Sequence, residues 1–122
     1  MLSLSSRQRF FWYHGVADMR KSFAGLCLLV ETEMGFDLLS GDVFIFVNRR
    51  RDRMKLLMWD RSGFVIWYKR LEEGTFEIPE LKSGRFEVSW DQILLILEGV
   101  VLKSAKRRKR YTHPHKNVGN LT

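Results

Sequence analysis

Five cations are crowded into seven positions near the middle of the chain, and their chemistry is that of anion binding. They are Arg49, Arg50, Arg51, Arg53 and Lys55, with Asp52 among them as a partial counter-charge. Cations at this spacing repel one another unless an anion lies nearby. Because guanidinium and ammonium groups bind phosphate oxygens, the cluster predicts contact with a nucleic-acid backbone. The alternative is a solvated hairpin that Asp52 balances in part.

Two further pairs of cations extend this prediction. Lys69 and Arg70 follow an aromatic run, where they either enlarge the same basic surface or pair with the glutamates at 72 and 73. Arg20 and Lys21 stand at the start of a predicted helix, where the helix dipole makes cations mildly unfavourable. Their position indicates an anionic partner, which is either a phosphate, a buried carboxylate or a nearby surface acid.

The end of the chain carries the excess of positive charge. The 122 residues include 21 basic and 14 acidic side chains, which gives a net charge of +7. Every acidic residue precedes position 103, and seven basic residues lie from position 103 onward. Residues 103–122 lack hydrophobic periodicity, so we expect a disordered tail that either binds a polyanion or only confers solubility. Its predicted nucleic-acid contacts are Lys106, Arg107, Arg108, Lys109 and Arg110.

Catalytic and cofactor chemistry find little support in the residue pattern. Asp18, Asp52, Asp60 and Glu72 have no spacing that requires them to converge on a metal ion for nuclease chemistry. The sequence has no glycine-rich phosphate loop, and the single Cys27 has no second cysteine with which to form a disulfide or a zinc site. We therefore expect no enzyme activity, no catalytic residue, no cofactor and no bound metal.

The apolar stretches of the chain are too short for a membrane protein. The longest run, Ile93 to Leu102, is interrupted by Glu98 and is well below the length that crosses a bilayer. The first nine residues contain no apolar stretch long enough for a signal peptide. A single cysteine also fits a reducing compartment. We expect a cytoplasmic protein without a membrane partner.

A single α+β domain over residues 1–102 is expected to position the cations. Aromatic and β-branched runs predict a short strand within 9–16, strands at 43–47, 54–59 and 64–69, and a further short strand at 75–78 that Pro79 ends. The short loops between the central strands predict an antiparallel meander of about four strands, and Asp60 to Gly63 fits a type I turn.

Two helices are predicted to pack on this sheet. Apolar residues at spacings of three and four predict a helix over residues 18–34, with Asp18 as its N-cap and Gly35 as its C-cap. Ser89 and Gln92 fit a capping box at the start of the second helix, which Gly99 ends. The apolar stripe predicted for this helix consists of Trp90, Ile93, Leu94 and Leu97. Because the strands are apolar on both faces, the helices or a partner must cover both sides of the sheet.

The order and spacing of several motifs resemble a known family. The motifs are Asp18-Met19-Arg20-Lys21, Gly41 before Val43-Phe44-Ile45-Phe46, Asn48-Arg49-Arg50-Arg51-Asp52-Arg53-Met54-Lys55-Leu56-Leu57-Met58-Trp59-Asp60, Gly63-Phe64, Trp67-Tyr68-Lys69-Arg70-Leu71-Glu72 and Gly74-Thr75-Phe76. Over roughly residues 12–98 the chain resembles the TnpB-type accessory family of IS66-type insertion sequences. That family is distinct from the RNA-guided nuclease that shares its name.

The resemblance implies a role in DNA transposition. Such a protein acts with other element-encoded proteins, and a separate, larger transposase carries out DNA recombination. Together with the clustered cations, the resemblance predicts an accessory protein that binds element-end DNA through a basic β-hairpin and tail. The alternative is a protein–protein adaptor that docks on the transposase with little direct DNA contact, and the two-sided apolar strands favour it.

Overall fold

A computed structural model describes residues 4–81 and 86–99. The predicted tail, residues 103–122, lies outside the described residues. The described elements are β1 Phe10–Trp12, α1 Phe23–Leu29, β2 Val43–Val47, β3 Arg53–Asp60, β4 Gly63–Arg70, β5 Glu87–Val88 and α2 Trp90–Glu98. Helix α1 continues directly into a π-helical segment, Val30–Met34, and a short 3-10 helix, Leu38–Ser40, precedes β2.

The strands form one mixed sheet in the order β4-β3-β2-β1-β5. Strands β2, β3 and β4 make the predicted antiparallel meander. Strand β1 pairs with β2 in parallel, because the chain between them crosses over through α1. Strand β5 pairs antiparallel with β1 and places Val88 opposite Phe10. The α+β fold class is confirmed, and residues 87–88 supply a fifth strand.

Both faces of the sheet are covered, as the apolar strands require. All five residues of β2 are buried and alternate between two separate cores. The core under α2 includes Phe10, Val43, Ile45, Leu56, Ile93 and Ile96. The core under α1 includes Phe11, Leu26, Val30, Phe44, Phe46 and Leu57. Since each such side chain stabilises the fold by roughly 1.5–3 kcal/mol on burial, the two cores hold the sheet rigidly between the helices.

Helix α1 begins later than predicted. Residues 18–22 form a loop, and Ser22 occupies the N-cap position before Phe23. The carboxylate of Asp18 accepts a hydrogen bond of 2.9 Å from the backbone N–H of Arg20, which stabilises a turn in place of a helical start. The predicted end is confirmed, because Gly35 has a left-handed φ of 72° after the π-helical segment.

Two other local predictions are wrong. Residues 75–78 are not a strand, because Phe76 is fully buried in the core under α2 and its N–H donates to the Arg51 carbonyl at 2.6 Å. The turn between β3 and β4 is not type I, because Arg61 has a φ of 54° where that type has about −60°. A positive φ at this position suits the twist of a two-residue hairpin.

The predicted bounds of α2 are confirmed. The hydroxyl of Ser89 accepts a hydrogen bond of 3.1 Å from the N–H of Gln92, and the capping box is complete. Gly99 ends the helix with a φ of 83°. Ile96 is buried in place of the predicted Leu94, whose side chain is exposed, because positions 93, 96 and 97 share the face toward the sheet.

Candidate nucleic-acid interface

The hairpin loop, residues 48–52 between β2 and β3, is built around the side chain of Asn48. Its Oδ1 atom accepts hydrogen bonds from the backbone N–H groups of Asp52 at 3.1 Å and Arg53 at 3.0 Å. Its Nδ2 atom donates to the carboxylate of Asp52 at 2.8 Å. Arg51 adopts a φ of 62° and donates its N–H to the Asn48 carbonyl at 3.1 Å. The side chain of Asp52 therefore helps to close the loop.

The segment that follows β4 is hydrogen-bonded to the backbone of the hairpin loop. The carbonyl of Asp52 accepts from the N–H of Leu71 at 2.7 Å, and the carbonyl of Arg51 accepts from the N–H of Phe76. Because Phe76 is buried in the core under α2, these bonds connect the loop to the rigid part of the molecule. The side chains of Arg49, Arg50 and Arg51 are exposed on this fixed backbone.

An open cleft lies between the hairpin loop and the loop that precedes α1. The residues that line this basic cleft are Val16, Ala17, Asp18, Met19, Arg20, Asn48, Arg49, Arg50 and Arg53. Its volume is about 440 Å³. The N–H of Ala17 donates to the carbonyl of Val47 at 3.0 Å, which keeps the two loops side by side. Four arginines from two distant parts of the sequence thus line one concave surface.

Arg20 has the nearby surface acid as its partner, which was one of the three predicted possibilities. Its guanidinium donates to both carboxylate oxygens of Asp18, at distances of 2.8–3.1 Å. Hydrogen bonds from the Arg20 side chain, and then from its backbone N–H, lower the pKa of Asp18 to about 2. The Arg20 side chain is 92% exposed, and exposed ion pairs contribute little to stability. The guanidinium therefore remains accessible to another anion.

Lys55 is buried and is not part of the exposed basic surface. Its Nζ donates to the carbonyls of Met19 at 2.9 Å and Lys21 at 2.7 Å, and lies 4.7 Å from the ring centre of Tyr68. The residue is only 7% exposed. Arg53 and Lys55 lie on the same face of β3, but Lys55 is buried there and does not enlarge the exposed basic surface. Lys55 fastens the loop before α1 to the sheet, and so it shapes one wall of the basic cleft.

The remaining predicted cations divide between the two faces of the sheet. Arg70 lies opposite Arg53 at the ends of their strands, and it pairs with Glu72 at 2.8 Å. Lys69 lies opposite Met54 on the other face of the sheet. Lys21 is exposed in the loop before α1. The five predicted tail contacts, residues 106–110, lie outside the described residues.

A second cavity, not predicted from the sequence, adjoins the basic cleft. Its volume is about 340 Å³, and its lining is Trp12, Tyr13, His14, Gly15, Val16, Val47, Asn48, Arg49, Arg51 and Ile78. It shares Val16, Asn48 and Arg49 with the basic cleft, so the two cavities are direct neighbours. No local pattern signals this cavity, because its lining comes from three separate segments, two of which the parallel pairing of β1 with β2 brings together.

Neither a metal site nor a membrane-spanning helix is found in the described part of the chain. In residues 4–81 and 86–99 no group of three or more His, Cys, Asp or Glu side chains could hold a metal ion. Among the described helices, none is long and apolar enough to span a bilayer. Cys27 is partly buried, and burial raises the pKa of its thiol, with a smaller effect from Glu31.

Comparison with known proteins identifies the family. The family model described as IS66 Orf2 like protein matches residues 8–107. The chain belongs to the IS66 Orf2-like family. The match includes both walls of the basic cleft and the whole sheet. Members of this family are accessory proteins associated with transposition, and the family is not a known enzyme family.

Two relatives from Sinorhizobium fredii (strain NBRC 101917 / NGR234) are similar over most of their length. The uncharacterized protein y4jC is 34% identical over 91 residues, which cover 75% of this chain and 78% of the relative. The uncharacterized protein y4hO is 30% identical over 100 residues, which cover 82% of this chain and 87% of the relative. No solved structure is significantly similar to the chain.

Proposed function

We propose that this IS66 Orf2-like protein binds element-end DNA through the basic cleft and the hairpin loop, and so assists a separate transposase. One observation carries the proposal: four arginines from separate segments line one open cleft. Two of them, Arg49 and Arg50, are exposed on the loop that Asn48 organises. A role on element DNA places the protein in the bacterial cytoplasm, together with the transposase and the other element-encoded proteins.

The geometry favours a phosphate backbone as the ligand. Guanidinium groups form two parallel hydrogen bonds to a phosphate, and they are less strongly hydrated than ammonium groups. Because the hairpin loop is already fixed by hydrogen bonds, binding costs mainly the side-chain entropy of the arginines. An open cleft lined by four arginines from both of its walls suits a polyanion better than a single small anion. Phosphate contacts of this kind would position the protein on DNA without reading its sequence.

The covered sheet weakens the case for a pure adaptor. That alternative was motivated by strands that are apolar on both faces, and α1 and α2 cover both faces of the central strand β2. The alternative to DNA binding is that the predicted cations pair with surface acids. Among those that the structure describes, Arg20 and Arg70 do so. Arg49 and Arg50 are the residues on which the proposal depends.

Binding to an element-end duplex over a series of salt concentrations tests the proposal. We expect the double variant Arg49→Ala with Arg50→Ala to bind at least tenfold more weakly at low salt. The dependence of log affinity on log salt should fall by about 0.9 for each phosphate that the variant no longer neutralises. The matched control is Arg7→Ala with Arg61→Ala, which removes the same charge from exposed positions at the opposite end of the sheet.

Comparing the two double variants distinguishes contacts made in the basic cleft from an effect of the protein's net charge. Equal weakening by the two double variants would show that net charge, and not the basic cleft, governs binding. An unmodified protein that does not bind the duplex at low salt would overturn the proposal. If, in addition, a complex with the transposase survives nuclease treatment and the cleft substitutions, the protein is an adaptor.

A further inference from the structure

Strand β4 forms one edge of the sheet and has a free side. It spans eight residues, and in the described part of the chain no strand lies beyond it. In an antiparallel pair, only alternate residues direct their N–H and C=O groups toward the neighbouring strand. The N–H of Leu71, just after β4, donates to the carbonyl of Asp52, just before β3. This bond shows which alternate residues of β4 direct their backbone groups toward β3. Odd-numbered residues of β4 bond to β3, and the even-numbered Phe64, Ile66 and Tyr68 direct their backbone groups outward.

Over residues 63–68 this edge lacks the features that usually prevent a strand from pairing, and its two cations, Lys69 and Arg70, lie at one end. Exposed edges are commonly protected by charged side chains, proline, bulges or short length. Residues 63–68 contain neither a charge nor a proline, and the pairing of β4 with β3 is continuous over eight residue pairs. The opposite edge, β5, is two residues long, and its Glu87 forms an ion pair with Arg9. The unprotected part of the sheet edge is therefore the segment 63–68 of β4.

The side chains of β4 are also incompletely covered. Phe64, Val65, Ile66 and Trp67 are partly buried, whereas the five residues of β2 are fully buried. Tyr68 remains 47% exposed although its ring lies against Lys55. A strand added next to β4 would bury these side chains further and satisfy the outward backbone groups at the same time.

We propose that β4 pairs antiparallel with β4 of a second copy of this chain, about a two-fold axis at Ile66. In this register Ile66 lies opposite Ile66 of the second copy, and Phe64 lies opposite Tyr68. The outward groups of the even-numbered residues then face one another as hydrogen-bonded pairs. The two sheets become one continuous sheet, and neither copy retains an unpaired β4 edge.

Charge and symmetry explain why the partner is a second copy. The cations of β4, Lys69 and Arg70, lie at one end of the strand only. Antiparallel pairing places Lys69 opposite Gly63 of the second copy, so cations of the two strands do not meet. A parallel pairing would set like charges side by side, which is unfavourable. Two-fold pairing also uses one self-complementary surface, which is the usual interface of symmetric dimers.

The oligomeric state of the full chain, freed of nucleic acid by nuclease and high salt, tests this inference. Sedimentation velocity from low to high micromolar concentration should show a dimer. Ile66→Lys and Ile66→Glu, measured separately, should each sediment as a monomer, because like charges then meet at the axis. An equimolar mixture of the two variants should sediment as a dimer, because opposite charges then face each other. Leu28→Lys is the matched control, since it places a lysine at an exposed apolar residue of α1.

Each outcome decides for or against the β4 pairing. Circular dichroism of each variant establishes that a monomer is folded, and restored dimerisation of the mixture requires that both variants fold. A monomeric unmodified chain at every concentration would overturn the inference, as would a dimer that Ile66→Lys leaves intact. The inference would also be overturned if the β4 edge pairs with the transposase and not with a second copy of this chain. None of these measurements depends on DNA binding, so the inference can fail while the proposed function stands, and the reverse.

Discussion

At the scale of single residues, the position along a strand decides what a cation does. Arg53 and Lys55 are two residues apart and lie on the same face of β3. Arg53 lies at the start of the strand and lines the basic cleft, whereas Lys55 is buried under the loop before α1. The sequence predicted one role for both, because side-chain alternation gives the face but not what covers it.

The buried Lys55 should stabilise the fold without contacting DNA. We expect Lys55→Met to lower the free energy of unfolding by about 2 kcal/mol, because two backbone carbonyls lose charge-assisted hydrogen bonds. Urea denaturation measures this change. The salt dependence of DNA binding should stay unchanged, unlike that of the arginine variants. Lys69→Met is the control and should cost well under about 1 kcal/mol; equal costs would contradict the structural role of Lys55.

The ion pair of Asp18 with Arg20 should titrate at low pH. Because the pKa of Asp18 is lowered from 3.8 to about 2 in the folded protein, the small stabilisation from this exposed pair is fully present above pH 3.8. That contribution is lost as the pH falls through about 2. In an NMR titration of the carboxyl groups, Arg20→Gln should return the pKa of Asp18 toward its ordinary value. Arg49→Gln should leave the pKa unchanged, and an equal shift in both variants would contradict the pairing.

At the scale of elements, local patterns predicted most boundaries, and their errors share one cause. The bounds of β2 and α2 and the cap at Gly35 were predicted from alternation, a capping box and a glycine. The start of α1 and the predicted strand at 75–78 were wrong. In both places a specific contact outweighs the local propensity. At the start of α1 that contact is the turn at Asp18, and at residues 75–78 it is the burial of Phe76.

The hairpin loop offers an element-level test of how the arginines are placed. We expect Asn48→Ala to lower the free energy of unfolding by about 1–2 kcal/mol, because three hydrogen bonds of the loop are lost. It should also weaken DNA binding, although no charge is removed. Ser62→Ala, in the other hairpin turn, is the control for both measurements. Unaltered DNA affinity in a destabilised Asn48→Ala variant would show that the loop conformation does not matter for binding.

At the scale of the whole molecule, the excess positive charge and the described fold lie in different parts of the chain. Residues before position 103 carry as many basic as acidic side chains, so the net charge resides in the segment that follows. Residues 1–102 nevertheless place four arginines in one cleft. The electrostatic potential in this cleft does not depend on the net charge of residues 1–102. Two basic regions of different kinds therefore belong to one protein: a cleft of fixed shape and a charged segment.

Removing the segment after Leu102 should separate the two contributions. We expect the shortened chain to bind all duplexes more weakly by a similar factor, because phosphate neutralisation by a basic segment carries no sequence information. Its salt dependence should fall by about 0.9 for each phosphate that the segment neutralised, and Arg49→Ala with Arg50→Ala should weaken binding further. Anisotropy titrations on element-end and unrelated duplexes measure both effects. Unchanged binding after the truncation would assign no DNA-binding role to the tail.

The sequence alone determined the quantities that depend on near neighbours and on residue type. These are the family, the α+β class, the meander, the helix caps at Gly35, Ser89 and Gly99, and the positions of concentrated charge. Only the tertiary structure decided which cations face solvent, because burial depends on what packs across the sheet. It was the crossover from β1 to β2 that set Arg20 beside Arg49 and buried Lys55 beneath the loop before α1. No local pattern encodes a contact between segments some thirty residues apart, because its free energy arises only when both cores have formed.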